Sequence, residues 1–150
     1  MRQVWCGIAL GVTLFIAAQG AGAVEAAGIV KIAEGTVSIE RAGAQLPVTP
    51  GTAVQAADTL VTGENGKCGI TFRDNSLLSL GPNSRLVIDS FRFDSTTHDG
   101  GFESTLKQGK LAVISGKIAK HARDAMKVRT PSSILGVRGT EFVVEAAAAP

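Results

Sequence analysis

The chain has 150 residues, enough for one domain with a sizeable core. Fifteen Lys and Arg against 13 Asp and Glu leave a net charge of +2, so there is no global electrostatic drive toward nucleic acid. Eighteen glycines without a collagen period, no Tyr and 45% hydrophobic residues argue for a turn-rich β protein and against a helical bundle.

Residues 1–23 have the three parts of a secretory signal: Arg2 as the positive end, an apolar stretch over residues 4–18, and the small-residue site Ala21-Gly22-Ala23. Cleavage is expected after Ala23, with retention as a membrane anchor the competing outcome. Cys6 precedes the apolar stretch, too early for lipid attachment. The mature chain then starts at Val24 and contains neither Trp nor Tyr. Cys68 is left as its single cysteine, so no internal disulfide can form, and its place on the apolar side of a strand pattern makes it a core residue.

Short strands separated by tight turns follow. Residues 29–39 suggest two strands, the first alternating around Ile29, Lys31 and Ala33, the second around Val37 and Ile39. A hairpin-like connection over residues 41–45 leads into Leu46-Pro47-Val48; Thr49-Pro50-Gly51 turns again before Val54 and Leu60-Val61-Thr62. Residues 66–89 read as a compact β meander. Cys68, Ile70 and Phe72 alternate with polar or small residues, Asp74-Asn75 turns the chain, Leu78 and Leu80 resume, Gly81-Pro82-Asn83-Ser84 turns it again, and Leu86-Val87-Ile88 completes the third strand. Residues 90–102 give strand ends around a polar loop, with both rings of Phe91-Arg92-Phe93 on one face. A further apolar segment carries Leu106, Leu111, Val113 and Ile114. Residues 116–123 are basic and less periodic; Met126 and Val128 precede Thr130-Pro131. Ile134-Leu135-Gly136-Val137 reads as a buried strand, and residues 141–145, with Phe142, Val143 and Val144, as the last. Residues 146–150 form a low-complexity tail with no evident strand partner. One all-β domain over residues 24–145 is expected, a compact β-sandwich or β-roll.

Charge is concentrated late. Residues 105–138 hold Lys107, Lys110, Lys117, Lys120, Arg123, Lys127, Arg129 and Arg138 against Asp124 alone. Sharing a face, they would meet an acidic polymer, lipid headgroups or an acidic partner; the plainer account places them at alternate solvent-facing strand positions. Lys107, Lys110, Lys117, Lys120 and Arg123 are the candidate partner-binding residues. No catalytic constellation emerges. His98 and His121 lack a neighbouring ligand at zinc spacing, and Asp74, Asp89, Asp94 and Asp99 lack the oxygen-ligand spacing of a calcium loop. Residues 63–67 have the wrong spacing for a phosphate loop. No cofactor, metal or enzymatic role is expected.

Asp58-Thr59-Leu60-Val61-Thr62-Gly63, Phe72-Arg73-Asp74-Asn75-Ser76, Leu80-Gly81-Pro82-Asn83-Ser84, residues 109–116, Val128-Arg129-Thr130-Pro131 and Gly136-Val137-Arg138-Gly139-Thr140-Glu141-Phe142 occur in that order and together resemble the FecR domain, over roughly residues 29–145. The resemblance implies an all-β periplasmic domain without catalysis. In the regulators that give the family its name, it relays a signal from an outer-membrane transporter to a sigma factor. Only residues 1–4 could lie in the cytoplasm here, and the regulators' additional carboxy-terminal domain is missing, so no direct sigma-factor contact is expected. The motif residues are expected to be scaffold, with Ser76 and Thr140 satisfying turn backbone groups. The leading expectation is an exported domain binding a protein or cell-envelope component. The alternatives are a small-ligand sensor relaying to a separate membrane protein, and a structural envelope module.

Overall fold

A computed structural model describes residues 24–139 and 141–147. The export segment, Thr140 and the last three residues lie outside that range. Twelve strands are found among the described residues: β1 (Gly28–Glu34), β2 (Val37–Arg41), β3 (Ala44–Pro47), β4 (Ala53–Val54), β5 (Thr59–Thr62), β6 (Lys67–Phe72), β7 (Leu77–Leu80), β8 (Arg85–Phe93), β9 (Gly100–Ile114), β10 (Met126–Arg129), β11 (Ile134–Val137) and β12 (Glu141–Ala146). One short helix, α1 (Lys117–His121), interrupts them. The fold is an all-β, curled, almost wholly antiparallel sheet. Its main path runs β3-β2-β5-β8-β9-β7-β6-β1-β4, and the one parallel pair is β9 with β10.

β9 organises the molecule, because 15 residues are long enough to serve two halves. Its first part pairs with β8 and β10, its second with β7 and β12. Gly109 lies between them with φ +93°, and any Cβ there would collide with Ser84. Only glycine accepts both constraints at low cost. The change of direction explains why Leu106 and Leu111 are both fully buried despite their odd spacing.

Cross-strand registers place the core in rows. In the half built from β1, β6, β7, β9 and β12, one inward row is Val30, Ile70, Leu78, Val113 and Phe142, and the next is Ala33, Cys68, Leu80, Leu111 and Val144. In the other half Ile39, Leu60, Leu86 and Leu106 form a row without exposure. The halves meet through aromatic rings. Phe72 of β6 lies 4.6 Å from Phe102 and 5.6 Å from Phe91, centroid to centroid.

Several expectations require correction. Residues 66–89 are not a continuous meander: β6 and β7 form a hairpin, but β7 and β8 each pair with β9, so the 81–84 turn carries the chain from one half to the other. In β1 the buried side chain is Val30, and Ile29 is 42% exposed. A register shift between Val30 and Ile32 moves the phase, bringing Ala33 back against the core. β11 is an edge strand, paired only with β10, and leaves Ile134 64% exposed; a continuous apolar run does not by itself distinguish an edge from the interior. Residues 117–121 are helical. Finally, Ala146 belongs to β12, pairs with Gly109 and is buried, so the last strand extends one residue into the supposed tail.

Candidate functional site

The motif residues build corners. Buried Asp58 accepts two hydrogen bonds from Arg41, at 2.8 and 2.6 Å, and one from the Gln55 backbone N–H. The bond to Asp58 raises the Arg41 pKa above its ordinary value. Thr62 Oγ1 donates to the Gly81 carbonyl at 2.7 Å and accepts the Ser84 N–H at 2.9 Å, while Asn83 takes the left-handed conformation the turn requires, φ 51°.

The 73–76 motif has a longer reach. Asn75 is left-handed, φ 67°, and the fully buried Asp74 carboxyl accepts the Ser76 N–H at 3.1 Å and its hydroxyl at 2.7 Å. It also meets the Ile118 N–H at 3.4 Å, and the Asp74 carbonyl accepts the Lys117 N–H at 2.7 Å. Ser76 Oγ accepts the Gly116 N–H at 2.9 Å, so the backbone group it satisfies lies at the start of α1 and not in its own turn. A five-residue helix cannot stabilise itself. These bonds, with buried Ile118 and Ala119, fix α1 to the β6–β7 turn.

The five candidate partner-binding residues are not brought together. Lys107 lies at a β9 register shift opposite β8, and Lys110 is on the other half, 3.7 Å from Glu145. Arg123 is exposed in the turn after α1. Only Lys117 and Lys120 converge, with His98 and His121, around a shallow, open cleft of about 300 Å³. The Arg138-Gly139 corner crosses the same helix: a Cβ at Gly139 would stand 3.7 Å from Lys120 Cγ.

The cleft's other wall is built locally. Asp94 Oδ1 accepts the N–H groups of Thr96 and Thr97 at 2.8 and 3.1 Å, and these bonds, Thr97's foremost, lower its pKa. The His98 N–H reaches the Asp94 carbonyl at 2.8 Å. His98 is thereby held at φ 63°, its ring stacked on Phe93 with centroids 6.2 Å apart. His121 Nε2 lies 3.0 Å from Asp99 Oδ1. These histidines are 23 residues apart, and no spacing rule would have paired them.

A second surface was hidden by period-two reading, which assigns one face to the core and leaves the other undescribed. The outward face of the β1-β6-β7-β9-β12 half carries the row Ile29, Thr71, Leu77, Ile114 and Glu141, then Ile32, Gly69, Ser79, Ala112 and Val143. Its large aliphatic residues are 41 to 63% exposed. Beyond them Glu34, Lys67, Lys110 and Glu145 form a mixed-charge border. Two shallow depressions, about 260 and 440 Å³, lie across the small residues at its centre.

Other candidates resolve structurally. Cys68 is fully buried, and desolvation raises its pKa to about 11, far from a reactive thiolate. Phe72 is core and Phe142 half-buried against it; Phe91 and Phe93 also pack on the core. Asp89 accepts the Thr105 hydroxyl at 2.6 Å. Among the described residues there is no group of three His, Cys, Asp or Glu able to hold a metal, and no helix long and apolar enough to cross a membrane.

The family model described as "FecR protein" matches residues 58–150, from the Asp58 corner through the last strand. No curated protein and no solved structure matches the chain. β1 to β4 precede the matched region, yet they extend the same sheet. FecR is a signalling family whose domains are periplasmic, and this chain, with 93 of its 150 residues matched, belongs to the FecR family.

Proposed function

We propose that the domain acts without catalysis, as a periplasmic docking module in envelope signalling that binds a protein partner through the outward face of the β1-β6-β7-β9-β12 half. The observation that supports this is the composition of that face. One side of an antiparallel sheet that faces water is ordinarily polar. Here Ile29, Ile32, Leu77, Ile114 and Val143 stand around Gly69, Ser79 and Ala112, with charges at one border and at Lys31 and Glu141. An apolar centre with a charged rim is the anatomy of a protein interface.

Its size bears on the kind of partner. Five strands ~4.8 Å apart and three rows ~6.8 Å apart make a patch about 19 by 14 Å. That is well below the ~800 Å² per partner of a standard stable complex. A contact of this extent is transient, as a relay requires.

A photo-crosslinking residue at Leu77 or Ile114 tests the reading in cells, with Arg92 on the other half as control. A discrete adduct with an envelope protein is expected at the two face positions, absent at Arg92 and abolished by Ile32→Glu with Val143→Glu. Adducts of equal yield at all three positions, or none at the face, would refute it.

A further inference from the structure

Independent of the apolar face is the cleft between the 94–99 loop and α1. All four side chains that line it, His98, Lys117, Lys120 and His121, are hydrogen-bond donors or can become so by protonation. Asp99 sits on its rim, 73% exposed, against His121, while the nearby Asp94 and Asp74 carboxylates are engaged by N–H groups of the 94–99 loop and of the β6–β7 turn and α1. Lys117 and Lys120 have no ion-pair partner among the described residues. Both walls are fixed rather than floppy: Asp94 holds His98 in a left-handed conformation, and Asp74 ties down the helix that carries both lysines. A non-glycine residue in that region is strained, and such strain persists where surrounding bonds over-determine it.

We propose that this cleft is a binding site for a phosphate group. Two ammonium groups exclude a metal cation. They favour a ligand of charge near −2 whose oxygens can accept from donors converging from two elements. The roughly 300 Å³ available accommodates a phosphate with part of whatever it is attached to. The ligand is either free phosphate or the monoester headgroup of a lipid at the membrane surface, which present the same chemistry to the cleft.

The test is a two-dimensional NMR titration of the purified chain with inorganic phosphate at low ionic strength, with chloride at matched ionic strength as control. Saturable shifts are expected at His98 and over residues 117–121. Lys117→Gln with Lys120→Gln should weaken binding about tenfold or more, as loss of two close charges does. Lys107→Gln with Lys110→Gln, also exposed but distant, should leave it unchanged. Co-sedimentation with phosphatidic acid vesicles, against phosphatidylcholine vesicles, separates the sources. Saturation by inorganic phosphate alone assigns the free anion. Cleft-dependent sedimentation without such saturation assigns the lipid. The proposal is overturned if neither result is obtained, if the shifts follow ionic strength alone, or if both double variants lose binding equally.

Discussion

Two buried polar residues show how differently the interior treats a hydroxyl and a carboxyl. Asp58 is 1% exposed and fully bonded by Arg41 and the Gln55 N–H, so its burial is compensated. Ser104 is equally buried, in register between Ile88 and Val128, and its Oγ finds no partner. An unsatisfied buried hydroxyl costs ~1–3 kcal/mol. Ser104→Ala removes that cost and only one atom of volume, so we expect a stability gain of about 1 kcal/mol and a Tm several degrees higher. Thermal unfolding followed by far-UV circular dichroism checks this. A lower Tm would mean that the hydroxyl is satisfied.

Among the elements, α1 depends most on a distant residue. Gly116 begins it because a Cβ there would clash with the Asp74–Ser76 backbone, and the helix supplies no capping side chain of its own. Asp74→Ala leaves the Ser76 and Ile118 N–H groups short of an acceptor in a buried setting, at ~2–4 kcal/mol. Hydrogen exchange should then rise sharply over residues 117–122 while β2 and β5 on the far half change little; protection retained over 117–122 would contradict the tether. The sequence disclosed the turn at Asp74-Asn75-Ser76 but not what it holds, because a bond spanning 44 residues leaves no local pattern. The strands themselves were legible wherever one face is core and the other polar, as at Cys68, Ile70 and Phe72. Legibility failed where the outward face is also apolar, at Ile29 and Ile134, since the period then carries no phase. It also failed at α1, too short for a helical period. The cleft was half legible: Lys117 and Lys120 stood out by charge, whereas His98 joins them only through the β8–β9 loop.

At the scale of the whole molecule, β9 makes the two halves one cooperative unit. Each half completes its sheet with part of the same strand, and Phe72 and Phe102 join the cores. Neither half can lose its rows without exposing the other's edge. Cys68, the one cysteine among the described residues, reports on this. Its folded-state pKa of about 11 lies above the ordinary 9.0, so the neutral thiol favours the fold. That contribution is complete below pH 9 and is lost as pH rises through 9 to 11, which sets pH 8 as the working condition. There, labelling by a thiol reagent requires exposure of a residue that the native state buries entirely. Leu78→Ala, one row from Cys68 in the same half, and Ile39→Ala in the opposite half each delete a fully buried aliphatic group, at ~2–5 kcal/mol. If unfolding is global, each variant's gain in labelling rate should follow its own loss of stability in urea on a single line, tenfold for every ~1.4 kcal/mol. Acceleration by Leu78→Ala alone would instead show that the halves open separately, and that β9 joins them in sequence without coupling them in energy.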